Sequence, residues 1–153
     1  MRARVARMFV WLERFVLVNI VDRLILAASI RKFYRIAAGH IYFQSLAAAV
    51  ELDLFTILRA EGPMRLKQVA SRLALDEQPC RILLQVLTAT GVLTKRADTF
   101  RNSLMSEIAF SKQNPRSLSA IILWQKYIVY KPMARMLESL KGYSNEGLKR
   151  KHR

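Results

Sequence analysis

Residues 4–16 repeat with a helical period. Val5, Met8, Phe9, Leu12, Phe15 and Val16 fall on one face, and Arg4, Arg7 and Arg14 on the other, the pattern of an amphipathic helix. From Leu17 to Ile30 the helix is apolar almost all round, with Ile20 and Leu24 in its stripe. Such a segment is buried against a partner or lies on a membrane surface. Burial against protein is the favoured reading. Glu13-Arg14 and Asp22-Arg23 interrupt the apolar runs, whereas a spanning helix needs about 20 apolar residues. Neither a transmembrane helix nor a cleaved signal is expected.

Gly39 marks a break or a close contact. The Ala- and Leu-rich stretch from Ile41 to Val50 is a strong helix former, and Glu51 to Leu58 extends or restarts it. Glu61-Gly62-Pro63 is a stop. Met64-Arg65-Leu66 reads as a short strand, then Lys67 to Leu73 as a short helix with Leu66, Val69, Ala70 and Leu73 inward. Leu75-Asp76 makes a turn, with Asp76 placed to cap the next helix. That helix runs from Glu77 to Thr90 on a stripe of Ile82, Leu83, Val86 and Leu87, and Gly91 ends it.

Val92 to Arg101 reads as two strands around a turn at Arg96-Ala97-Asp98. Asn102 or Ser103 caps a short helix through Phe110, and Ser111 to Pro115 is a loop. Arg116 to Leu140 is a long helical pattern that Pro132 kinks or divides. Helix, turn, helix, hairpin is the winged helix-turn-helix order. The expected fold is mainly α: a winged helix-turn-helix with a small β-hairpin wing, flanked by N- and C-terminal helices. The expected segments are a basic and apolar helical extension over 1–35, the winged-helix unit over 36–110, linker helices over 111–140 and a basic, frayed tail over 141–153.

Charge adds a question about partners. The chain has 153 residues and a net charge of +15, concentrated at its ends. Residues 1–35 carry eight Arg and Lys against Glu13 and Asp22, and residues 141–153 carry five against Glu146. The excess suits either nucleic acid or anionic lipid, or simply solvates the chain. A winged helix that reads DNA needs Arg, Lys, Asn or Gln along the exposed face of its second helix. Here that face offers Arg81 and Gln85, and the wing offers Lys95, Arg96 and Arg101. The set is thin. A DNA-binding transcription regulator is therefore the alternative reading, and specific nucleic-acid recognition is not expected.

Few residues carry chemistry. Cys80 is the only cysteine, which rules out an internal disulfide and a cysteine-rich zinc site and suits a reducing cytoplasm. It reads as a buried structural thiol. His40 reads as a packed or capping histidine. Glu51 and Asp53 are two apart and do not share a helical face, so a joint acid–base role is not expected. No catalytic, cofactor-binding or metal-ligating residue is assigned.

Three segments carry a resemblance: GHIYFQSLAAAVELDLFTIL over 39–58, GPMRLKQVASRLALDEQPCRILLQVLTATGVL over 62–93, and the short wing that follows. Together they resemble the N-terminal dimerisation domain of SAM-dependent small-molecule O-methyltransferases. The helical stretch with Trp124 and the segment from Lys141 to Leu148 are similar to the linker before the family's catalytic domain. The resemblance covers residues 36–148. It implies a domain that drives homodimerisation and helps cover the acceptor pocket, in a family that moves a methyl group from S-adenosylmethionine to a hydroxyl. Phe110, Trp124 and Tyr127 are the implied pocket-lining residues, with ordinary core packing as the alternative. The family's Gly-rich cofactor loop and catalytic His have no counterpart here. The chain is expected to stop before that domain, to bind no cofactor itself, to be inactive alone, and to meet a small-molecule hydroxyl acceptor only where a catalytic domain is supplied.

The dimer interface is expected at Phe9, Leu12, Phe15, Val16, Ile20 and Leu24, together with Tyr42, Phe43 and Leu46. Peripheral membrane contact through residues 1–30 is the competing use of the same apolar surface.

Overall fold

The computed structural model describes residues 23–112 and 114–143. The expectations for Phe9, Leu12, Phe15, Val16 and Ile20, and for the tail beyond Tyr143, lie outside them. The chain divides after His40 into two units. In the first, helix α1 covers residues 23–37. It exposes apolar side chains on every side, including Leu24, Leu26, Phe33 and Ile36. Ala38 interrupts the helix, and the His40 ring lies 3.1 Å from the Ala37 carbonyl through Nδ1, a capping contact.

The second unit holds the core. Helix α2 (Gly39–Glu51) buries Ala47, Ala49 and Val50. The chain then restarts rather than extends. Asp53 takes a left-handed conformation, φ 56°, and α3 (Leu54–Glu61) leaves at 58° to α2. Aspartate is among the few residues that tolerate this region, and Lys112 reaches its carboxylate at 2.6 Å. Gly62, at φ 80°, and Pro63 end α3. Among the described residues no single helix is long and apolar enough to cross a membrane. The bent pair α2 and α3 passes such a test by composition only, and its Val50, Leu54, Phe55 and Leu58 lie in the core.

The winged unit follows as expected. β1 (Met64–Arg65) leads into α4 (Leu66–Leu73), where the Gln68 side chain accepts the Arg65 backbone N–H at 2.8 Å. Next come α5 (Glu77–Ala89), β2 (Leu93–Arg96) and β3 (Thr99–Asn102). The sheet order is β1-β3-β2, antiparallel throughout, with Met64 opposite Phe100 and Lys95 also opposite Phe100. Gly91, at φ 75°, turns the chain from α5 into the wing.

Two details of α5 differ from expectation. Its inward stripe is Cys80, Leu84 and Leu87. Leu83 and Val86 are half-buried, while Ile82 faces out. The periodic pattern fits two stripes about one residue apart, and the core takes the one through Cys80, Leu84 and Leu87. Asp76 does occupy the cap position, but its side chain makes no capping bond.

Helix α6 (Leu104–Ala109) is capped by Ser103, which accepts from the Ser106 N–H at 3.3 Å. The long helical pattern beyond it is divided differently from expectation. α7 (Ser119–Trp124) widens into a π-helical stretch, Gln125–Tyr130, then continues as α8 (Lys131–Met133) and α9 (Met136–Gly142). The chain passes through Pro132 and breaks at Ala134–Arg135 instead. Proline lacks an N–H and crowds the carbonyl four residues back. A wider turn just before it relieves that conflict.

The core is one cluster in which Leu54, Phe55, Val69, Leu84, Leu87 and Leu93 are almost fully buried. Phe110 closes it from the α6 side, its ring 5.3 Å from that of Phe55.

Candidate functional site

Two surfaces bear on the expected role. The first is the N-terminal part of α2. Ile41 is exposed, and Tyr42, Phe43 and Leu46 are half-buried. Phe43, Leu46, Ala47 and Val50 share a face by helical spacing, and that face is buried toward Val50 and only partly covered toward the start of the helix. Phe43 stacks on Tyr130 of the π stretch, with centroids 5.4 Å apart and planes 11° from parallel.

The second surface runs from α7 to α9. Trp124 and Tyr127 are 56% and 62% exposed, so core packing does not account for them. Phe110 differs. At 7% exposure it belongs to the core. Ile121, Ile128, Met133, Leu137 and Leu140 are also exposed. In the first unit, Leu24 is 61% exposed.

Three polar contacts lay beyond sequence reasoning. The Glu51 carboxylate accepts hydrogen bonds from the Lys126 ammonium and the Tyr127 hydroxyl. Asn102 donates to the Phe55 carbonyl at 2.8 Å and to Glu107 at 2.7 Å. Arg59 pairs with Glu107 at 3.3 Å. The Glu51 contacts join residues some 75 positions apart, and no local pattern signals them. Glu51 and Asp53 pair with separate lysines, Lys126 and Lys112.

The Glu51 contacts fix the protonation of both partners. Hydrogen bonds from Lys126 and Tyr127 hold the Glu51 carboxyl below its ordinary range. The bond to Glu51 pushes the Tyr127 phenol above its own. A depressed carboxyl stabilises the fold above its unfolded pKa and loses that contribution as pH falls through the folded value. The contact is thus intact at neutral pH and opens in acid. Glu51→Gln is expected to lower the Tyr127 phenol toward the ordinary tyrosine range. Tyrosinate absorbance checks this, with Tyr127→Phe identifying the transition among the five tyrosines; an unmoved transition would show that the carboxylate does not hold the phenol.

The wing and α5 form a separate groove that presents Arg81, Gln85 and Lys95. Metal chemistry finds no obvious seat: among the described residues no three His, Cys, Asp or Glu side chains group together.

The fold is a mainly helical winged unit, and the chain also carries helices with exposed apolar side chains. Comparison gives its family. Residues 34–112 match the model of the O-methyltransferase dimerisation domain, and the chain belongs to that family. It is 30% identical over 108 residues to the L-tyrosine C(3)-methyltransferase of Streptomyces lavendulae, covering 71% of this chain and 30% of that protein. It is 30% identical over 99 residues to the tetracenomycin polyketide synthesis 8-O-methyl transferase TcmO of Streptomyces glaucescens, covering 64% and 29%. The S-adenosylmethionine-dependent methyltransferase SibL, in its apo form, shares the fold at a TM-score of 0.70 and 34% identity, over 76% of this chain and 34% of that one. Human N-acetylserotonin methyltransferase, at 22% identity, TM-score 0.68 and coverage of 74% and 34%, shares the fold. The chain spans about a third of the length of these curated relatives. The family match does not favour the DNA-binding regulator.

Proposed function

We propose that this chain pairs with a second copy of itself and covers the acceptor pocket of a SAM-dependent methyltransferase. A dimerisation-domain family implies a homodimer. The observation that carries the finer reading is the exposed apolar surface of α1; in the second unit, Tyr42, Phe43 and Leu46 of α2 are half-buried. Exposed apolar surface of this kind marks an interface. Leu24 is the described member of the expected N-terminal set, and Phe9, Leu12, Phe15, Val16 and Ile20 extend the proposal. Trp124 and Tyr127 are the proposed pocket-facing residues, with Phe110 behind them.

S-adenosylmethionine is the methyl donor in this reading, and the described residues do not fit it. The sheet is antiparallel with strands of two to four residues, and no strand enters a helix through the Gly-rich turn that cradles a nucleotide. In this reading the donor is held by a separate catalytic domain. The acceptor is proposed to be a small molecule with a hydroxyl, as the family's description suggests, although one relative is named as a C-methyltransferase. A cytoplasmic setting suits the single, buried Cys80.

Analytical ultracentrifugation with and without anionic vesicles tests the reading. The chain is expected to sediment in plain buffer at twice its 17.7 kDa monomer mass and to ignore vesicles. A monomer, or protein that floats with the vesicles, would instead assign the apolar N-terminal surface to lipid.

A further inference from the structure

The groove between α5 and the wing lies outside the residues proposed for dimerisation and pocket covering. It encloses about 380 Å³ and is lined by Leu66, Arg81, Gln85, Thr88, Lys95 and Phe100, with Asp98 at its edge. That volume lies within the roughly 300–1,000 Å³ of small-molecule sites. Its floor is apolar: the Phe100 ring is buried and Leu66 is half-buried. Its walls are cationic. Arg81 and Gln85 stand one helical turn apart on α5 and project to the same side. Lys95 reaches over the Phe100 ring from the wing, its Nζ 5.4 Å from the centroid.

The charges in the groove are unequally committed. Asp98 is already paired with Arg65 at 3.0 Å. Arg81 has no ionic partner among the described residues, and the only contact seen for the Lys95 ammonium is the Phe100 ring. Two cations with no ionic partner among the described residues thus line one groove with the Phe100 ring and Gln85. A guanidinium fork binds a carboxylate in two parallel hydrogen bonds, and an apolar body on that carboxylate would cover Leu66 and Phe100. From this we infer that the groove is a binding site for a small amphiphilic carboxylate, an aromatic or short acyl group carrying one acid. Nucleic acid fits less well: Asp98 stands on the rim and Glu77 at the start of α5, where a phosphate backbone would pass.

Phenylpropionate is the probe, titrated into the full chain while its backbone amides are followed by NMR. Saturable shifts are expected at Arg81, Gln85, Lys95 and Phe100. Neutral phenylpropanol and inorganic phosphate should each bind at least ~10-fold more weakly, since each lacks one half of the recognition. Arg81 and Lys95 are exposed, so Arg81→Gln with Lys95→Gln should keep the remaining spectrum and lose the saturable shifts. The inference is overturned if phenylpropionate produces no saturable shift there, or if the double variant responds like the wild type. It is equally overturned if phenylpropanol binds as tightly, or if a short DNA duplex moves the same amides at a lower concentration than phenylpropionate.

Discussion

Leu24→Asp combined with Phe33→Asp is expected to halve the sedimenting mass of the protein. Both side chains lie on α1 and are more than half exposed, and their spacing puts them on opposite sides of the helix. A partner packed on either side therefore meets at least one new carboxylate. Burying a large apolar side chain contributes roughly 1.5–3 kcal/mol, and in a symmetric pair each position counts twice. Losing about 3 kcal/mol or more weakens association by roughly 100-fold, against an association cost of about 4–15 kcal/mol. The substitutions touch only the first unit, so the circular dichroism melt of the winged unit should hardly move. A variant that still sediments at the dimer mass would place the interface elsewhere, with α7 to α9 as the next surface to test.

Phe55→Ala should have the opposite signature, a large loss of stability with no direct effect on pairing. Phe55 is 1% exposed, rests against Phe110, and its carbonyl is held by Asn102. Removing a buried phenylalanine costs about 3–5 kcal/mol, a large part of the 5–15 kcal/mol that typically stabilises a domain. The Tm should fall by roughly 15–30 °C for a unit of this size. Ile82→Ala is the matched control. Its side chain is 54% exposed, and a surface substitution is usually within about 0.5 kcal/mol of neutral. Comparable losses for the two variants would mean that Ile82, not Cys80 and Leu84, faces the core.

That control also marks how far the sequence could be read. The winged unit was legible because its signals are local: Gly62-Pro63 and Gly91 punctuate it, and Val69, Ala70 and Leu73 fall at helical spacing. The face of α5 was harder. Ile82, Leu83, Leu84, Val86 and Leu87 leave two apolar stripes, and only packing against the rest of the core selects one. The candidate site was legible in part. The family resemblance names Trp124 and Tyr127 together with Phe110; the first two are exposed, whereas Phe110 lies in the core. Glu51 was considered beside Asp53, its neighbour in sequence. Its actual partners, Lys126 and Tyr127, are brought to it only by the folding of the whole second unit.

The π-helical stretch Gln125–Tyr130 has a consequence for chain length. Bonds that span five residues rather than four hold one more residue per turn than the α-helices on either side. Between Trp124 and Lys131 the chain therefore carries slack that an unbroken α-helix would not need. Loss of a single residue elsewhere in α7 or α9 would rotate everything beyond it by about 100° and present a different face. Within the π stretch the same loss can be taken up by tightening the turn to α-helical form. Its cost would fall on the pairing of Lys126 and Tyr127 with Glu51 and on the ring stack of Tyr130 with Phe43, while the path of the helix toward Gly142 would be kept.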